Sequence, residues 1–215
     1  MTATSDQIKN WLDNYAVLIR RNAADLTELD RLIGDADHGA NMQRGMERVQ
    51  KLNAGDFADS AALLKRAGMT MVSAVGGSSG PLYGTFFIRM ATAIAGNEDE
   101  NHVVDAATFG KALRDGADGI AARGKAQLGD KTMLDVWYPA LDAYDAAVAE
   151  GKELHECLVA ASEAADAAAE ATIPMIAHKG RASYLGNRSA GVKDPGAASS
   201  ALLLQAAVET FGADA

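Results

Sequence analysis

Asp30-Arg31-Leu32-Ile33-Gly34-Asp35-Ala36-Asp37-His38-Gly39-Ala40-Asn41 sets three aspartates within eight residues, with Asp25 and Glu28 just upstream and only Arg31 to balance them. Crowded carboxylates repel one another unless a positive charge sits among them. A hard divalent cation, which takes oxygen ligands, is the natural counter-charge. On an unbroken helix Asp30 and Asp37 would share a face and Asp35 would point elsewhere. Gly34 and Gly39 break that helix in this reading. One helix ends near Asp30, a tight turn passes through Gly34, and a second helix opens near Gly39 or Ala40, so that the three carboxylates converge. Counted from Asp35, an EF-hand loop would need a bidentate glutamate at its twelfth position, which is Met46, and its fifth position is Gly39; that reading fails. Magnesium with a nucleotide suits three carboxylates that leave room for phosphate and water. A solvated acidic turn with a capping aspartate is the plainer alternative.

Outward from this turn the chain reads as helices. Strand signals are weak: aromatic residues are 6% of the chain, and long alternating Val/Ile/Thr runs are absent. Eight helices are expected. The first covers about residues 6–27, opened by a Thr4/Gln7 capping box, with Ile8, Leu12, Tyr15 and Ile19 on one face. The second follows Gly39, and the third starts at Asp56 or Ser60. The fourth, about 82–95, is apolar nearly all round and so well buried. A polar link over 96–102 leads to the fifth, about 105–122. The sixth carries Met133, Val136, Trp137 and Leu141, with Pro139 as a kink point. The seventh, about 153–172, is alanine-rich and suited to close packing. The eighth takes Asp194 as N-cap and Pro195 at its first position. Short connections between up-and-down helices bring alternate loops to one end of a bundle. With no internal repeat and no linker, residues 1–215 read as a single domain.

Composition narrows the function. A net charge of −9 argues against duplex nucleic acid and against an anionic membrane surface as partners. The one cysteine, Cys157, permits neither an internal disulfide nor a thiolate zinc site, and reads as a small buried hydrophobe. No apolar run approaches the ~20 residues of a membrane span. The start shows no secretory pattern, so the cytoplasm is the expected compartment.

Four loops then stand out: the aspartate turn, Gly76–Gly80, Gly124–Thr132 and His178–Gly196. Three of them open a helix just after small residues, where free backbone N–H groups and the positive end of the dipole favour phosphate. The last holds Lys179, Arg181, Arg188 and Lys193 against Asp194 alone. Metal, backbone donors and a covering cation are the parts phosphoryl transfer requires. Gly124-x4-Gly129-Asp130-Lys131-Thr132 is not a P-loop, because Asp130 intervenes before the lysine and a helix, not a strand, precedes it. Singly, Gly76–Gly80 is also readable as a flexible turn, Arg181 as a surface charge, and His38 as a residue that satisfies its own turn.

The joint pattern is more specific. Leu29-Asp30-Arg31-x-Ile33-Gly34-Asp35-Ala36-Asp37-His38-Gly39-x-Asn41-Met42, Val75-Gly76-Gly77-x-Ser79-Gly80-Pro81-Leu82-x-Gly84-Thr85, Gly129-Asp130-Lys131-Thr132-Met133-x-Asp135, Lys179-Gly180-Arg181-Ala182-Ser183-Tyr184-Leu185-Gly186 and Asp194-Pro195-Gly196-Ala197 closely resemble the nucleotide-binding L subunits of bacterial, phosphotransferase-system-dependent dihydroxyacetone kinases. The resemblance covers nearly the whole chain and looks like the stand-alone subunit. It implies an all-α, eight-helix antiparallel barrel with nucleotide at one end. It implies that Asp30, Asp35 and Asp37 bind two magnesium ions, and that His38, Gly39, Ala40, Asn41, Ser78, Ser79 and Thr132 face phosphate. Gly124, Met133, Asp194, Pro195 and Gly196 would line base and ribose, and Arg181 would reach in from a lid. In such a family ADP stays bound, a phosphohistidine of an M subunit rephosphorylates it to ATP, and the phosphoryl group passes to dihydroxyacetone on a K subunit. Two rivals stay open: a nucleotide subunit of a ketose kinase using exchangeable ATP, and a binding module that meets a transcriptional regulator according to its nucleotide state.

Overall fold

Thr4 and Gln7 close the expected reciprocal cap: the Gln7 N–H donates to Thr4 Oγ1 at 3.2 Å and the Thr4 N–H to Gln7 Oε1 at 3.0 Å. From that cap α1 (Ser5–Ile33) runs without interruption to the aspartate turn. The computed structural model describes residues 3–97 and 103–212. Part of the polar link expected over 96–102, and the start of the chain at Met1 and Thr2, lie outside the described residues. After α1 come α2 (His38–Val49), a 3-10 turn (Ala54–Asp56), α3 (Ser60–Ala74), α4 (Ser79–Ile94), α5 (Ala106–Gly124), α6 (Leu134–Ala149), α7 (Leu154–Ala171), a 3-10 stretch (Arg181–Ser189) and α8 (Pro195–Phe211). Among the described residues the only β-type pairing is an isolated bridge between Ala3 and Val104. No helix among them is long and apolar enough to cross a membrane.

Each helix packs on the next, and α8 returns to α1, so the ring closes. The all-α, eight-helix arrangement therefore stands. Carboxylate caps fix several starts: Asp59 accepts from the Ala62 N–H, Asp105 from the Thr108 N–H and Asp194 from the Ala197 N–H, each at 2.7 Å. The helix α6 continues through Pro139. Two boundaries differ from the sequence expectation. The first helix extends to Ile33, because the backbone turns only at Gly34, where a Cβ would lie 2.0 Å from Asp30 Oδ1. The fourth begins at Ser79, since Ser79 and Gly80 already adopt helical geometry ahead of Pro81.

The core is continuous. Trp11, Phe109 and Phe211, from the start of α1, the start of α5 and the end of α8, stack at 5.4–6.5 Å between ring centroids. By helix direction this cluster lies at the pole opposite the aspartate turn. Cys157 is fully buried on α7, as expected of a small hydrophobe. The α3–α4 crossing is made by two glycines: a Cβ at Gly68 would lie 2.7 Å from the Gly84 carbonyl oxygen and 2.8 Å from Ile88 Cγ1. The backbones can approach this closely only without side chains there. Replacing Gly68 by Ala gains about 1 kcal/mol of helix propensity but overpacks a backbone contact, which costs roughly 1–3 kcal/mol. The Gly68→Ala variant should unfold at lower temperature than wild type; a calorimetric midpoint equal to or above wild type would show that the two helices can part.

Candidate functional site

Helices α2, α4, α6 and α8 begin, and α1 and α5 end, around one cavity of about 410 Å³. Asp30, Asp35 and Asp37 stand on its wall, and a carboxylate oxygen from each lies within 4.8 Å of the others. The convergence read from the glycine breaks is therefore real. Its mechanism is specific. Asp37 sits at the N-cap of α2 but makes no side-chain cap bond. Asp30 does that work from the neighbouring helix, its Oδ2 accepting from the Asp37 N–H at 2.8 Å and the His38 N–H at 3.1 Å. One carboxylate oxygen thus fixes the angle between α1 and α2. The oxygen-only, all-carboxylate donor set is the chemistry of a magnesium or calcium site rather than of zinc.

Partial burial, then the charges of Asp37 and Asp30, push the Asp35 carboxyl above its ordinary value, while Arg181 works against them. The Arg181 Nε–H reaches Asp35 Oδ2 at 2.8 Å. The basic stretch is thereby tied to the acidic turn. It is not an open loop: residues 181–189 form a 3-10 stretch broken at Gly186, where φ is +54°. Its Lys193 instead pairs with Glu170 of α7.

His38 is buried against two helices. Its Nδ1 lies 2.9 Å from Ser79 Oγ on α4, and its Nε2 2.9 Å from Ser199 Oγ on α8. Ser199 Oγ also lies 2.7 Å from the Tyr83 hydroxyl, and Tyr15 donates to the Ser199 carbonyl at 3.1 Å. Burial pushes the imidazole down to about 4 despite the opposing pull of Asp30 and Asp37, so His38 is neutral at physiological pH. With both ring nitrogens engaged it orients serines and is no free nucleophile. Helix α4 starts without a side-chain cap at Ser78, which leaves its first N–H groups to an anion.

Of the residues singled out in the sequence, Asp30, Asp35, Asp37, His38, Ser78, Ser79, Gly124, Thr132, Met133, Arg181, Asp194, Pro195 and Gly196 all line this cavity. Gly39, Ala40 and Asn41 do not. Gly39 packs into α1, where a Cβ would meet the Ala23 carbonyl oxygen at 2.0 Å, and Asn41 is buried with its Oδ1 accepting from Arg44. The sequence reading passed over an apolar wall of Leu82, Ile120 and Leu134; nothing in their spacing separates them from core. Asp135, quoted in the sequence motif but given no role there, is buried behind the site; its two oxygens accept from the Gly129 and Thr132 N–H groups at 2.5 and 2.6 Å and shape the loop before α6.

A closed ring of eight helices, with a cluster of carboxylates set against helix N-termini at one pole, defines the class: an all-α barrel with one charged pole. The particular family follows from comparison. The chain belongs to the DAK2-domain family, whose model matches residues 32–209. It is similar to the Escherichia coli PEP-dependent dihydroxyacetone kinase, ADP-binding subunit DhaL, with 46% identity over 95% of this chain and 96% of that one. It is similar also to the corresponding subunit of kinase 1 of Listeria innocua, with 42% identity over 98% of both chains. Among solved structures, the dihydroxyacetone kinase from C. freundii in complex with AMP-PNP and Mg2+ superposes with a TM-score of 0.70 at 26% identity, over 97% of this chain and 34% of that longer one. The family inferred from the sequence motifs is the family found.

Asp194 supplies a pH test. Burial, with Asp135 adding to it, pushes its carboxyl up from 3.8 to about 7. Because the folded value lies above the unfolded one, the native state holds a proton that the unfolded chain has shed. That contribution to stability is complete below about pH 4 and is lost as pH rises through about 7. Asparagine caps a helix as well as aspartate does. Asp194→Asn should therefore keep α8 intact and flatten the fall in unfolding midpoint between about pH 4 and 7; an unchanged pH profile in ligand-free protein would contradict the assignment.

Proposed function

We propose that this chain is the ADP-binding subunit of a phosphoenolpyruvate-dependent dihydroxyacetone kinase. The observation that carries the reading is the meeting of Asp30, Asp35 and Asp37 at the pole where α2, α4, α6 and α8 begin, in a chain nearly half identical to such a subunit along its length. In this reading the three aspartates hold magnesium, two ions in all, which when bound neutralises phosphate charge and draws the diphosphate to the acidic wall. The uncapped start of α4 at Ser78 and Ser79, with Thr132, binds phosphate oxygens through N–H and hydroxyl donors. Neutral His38 orients Ser79. Gly39, Ala40 and Asn41 contribute through the first turn of α2, not as cavity side chains.

The adenine and ribose lie along Gly124, Met133 and Asp194–Gly196, with Leu82 and Ile120 giving the apolar surface that a flat base needs. Arg181, carried by the 3-10 stretch, is placed to stabilise equatorial charge on the transferring phosphoryl group and to exclude water. The site holds no nucleophile–base pair for a sugar, so substrate activation falls to a partner: a K subunit that holds dihydroxyacetone. The phosphoryl group reaches bound ADP from a phosphohistidine of an M carrier subunit. The work is cytoplasmic.

Purified protein, desalted and then acid-denatured, should release ADP. Mixed with candidate K and M subunits, it should convert dihydroxyacetone in the presence of phosphoenolpyruvate. Nucleotide that exchanges freely would instead support direct use of ATP. Asp35→Asn should abolish Mg-dependent ADP retention while leaving the helical circular dichroism unchanged; calorimetry giving wild-type ADP affinity in that variant would overturn the metal assignment.

A further inference from the structure

Among the described residues, Lys131 is the only lysine or arginine that is buried, at 1% exposure. Its ammonium meets three backbone carbonyls: Ser189 at 2.6 Å, Met175 at 3.0 Å and Ile173 at 3.3 Å. An ammonium has three donors and no acceptor capacity, so these three carbonyls use it completely. They come from two places. Ile173 and Met175 lie just past α7, and Ser189 closes the 3-10 stretch. Between them run Lys179, Gly180 and Arg181, which face the cavity. The two ends of segment 173–190 therefore meet on one side chain.

Other bonds gather at the same point. The His178 N–H donates to the Asp130 carbonyl at 3.0 Å, the Gly191 N–H to the Ile173 carbonyl at 2.7 Å, and the Ala177 N–H to Ser189 Oγ at 2.9 Å. On its own side Lys131 sits at φ +59°, a left-handed conformation that a non-glycine residue adopts only when its surroundings hold it there. Its neighbour Thr132 lines the cavity.

We propose that Lys131 is a positioning residue, whose ammonium latches both ends of segment 173–190 to the loop ahead of α6 and so sets Arg181 over the carboxylates. Its consequence for nucleotide rests on the function proposed above; the latch itself does not. No apolar side chain replaces it, because removal of the ammonium takes a donor from three carbonyls, of which only that of Ile173 keeps another, the Gly191 N–H. A residue whose role is only bulk stability would act on all helices alike. This one acts through Arg181.

The test is Lys131→Met, alone and combined with Arg181→Ala. Hydrogen exchange by mass spectrometry should show faster exchange confined to 173–190 and the neighbouring 129–133 loop, with the eight helices protected as in wild type. Release of Mg–ADP should speed up by roughly ten- to a hundredfold, the scale of lost charge-assisted hydrogen bonds. Adding Arg181→Ala should then change the release rate far less than it does in wild type. Unchanged exchange over 173–190, exchange raised throughout the chain, or additive effects of the two substitutions would each overturn the proposal. If Lys131→Met does not fold, the wild type decides: the amides of Ala177, His178 and Gly191 should open as one unit, with the same dependence on dilute denaturant. Independent opening of the three would overturn it. A wild type that retains no Mg–ADP would defeat the functional proposal, while the exchange pattern of the nucleotide-free protein would still decide the latch.

Discussion

Repulsion among three carboxylates is the constraint around which this molecule is arranged. At an effective dielectric of about 20, two unit charges 4.8 Å apart repel by roughly 3 kcal/mol, and the exposure of Asp35 and its pairing with Arg181 reduce that for one member. The cluster persists because its surroundings compensate it. Asp30 is stabilised by two N–H groups at the start of α2, Asp35 by the lid arginine, and the positive ends of helix dipoles converge from α2, α4, α6 and α8. The closed ring produces that convergence: in an up-and-down barrel every second helix must begin at the same pole.

The backbone bears the cost of the arrangement at the same pole. Among the described residues the non-glycine positions with positive φ are Ala36, Lys125 and Lys131. Ala36 separates Asp35 from Asp37, Lys125 ends α5 beside Gly124, and Lys131 precedes Thr132. Each left-handed alanine or lysine costs about 1–2 kcal/mol. The opposite pole, with its stacked Trp11, Phe109 and Phe211, carries no such strain and supplies burial. One end of the barrel is built for stability and the other stores strain to hold charged groups in place.

What could be read from the sequence followed from local physics. The Thr4–Gln7 cap, the Asp194–Pro195 start and the break at Gly34 are decided by residues a few positions apart, and all three are found as expected. The carboxylate cluster was legible for the same reason. That α1 stays helical past residue 27 right up to this break was not, because its acidic last turns read equally well as a solvated turn. The ordered 3-10 path of 181–189 was not, because its last carbonyl, that of Ser189, is satisfied by Lys131, 58 residues away in the chain. His38 illustrates the limit most clearly. Its neutrality comes from burial against α4 and α8, where its Nε2 meets Ser199, 161 residues distant, and no spacing rule connects the two. Sequence spacing excludes Lys131 as a P-loop lysine and gives it no other role; the three carbonyls around its ammonium are brought together only by the fold.

The site thus divides its charged residues by burial. The exposed ones, Asp35 and Arg181, meet each other across the mouth of the cavity and are free to exchange partners. The buried Asp30, Lys131 and Asp135 and the half-buried Asp194 make their bonds to backbone. Asp135 and Asp194 shape the entrances to α6 and α8, and Lys131 lies close enough to Asp194 to draw its carboxyl downward against the effect of burial. This pole therefore presents a floor of helix starts with one exposed ion pair, Asp35–Arg181, above it. Parting that contact costs little, since a surface ion pair is worth about 1 kcal/mol or less. The Arg181 stretch can thus give up its one ion pair to the acidic turn without disturbing the barrel beneath.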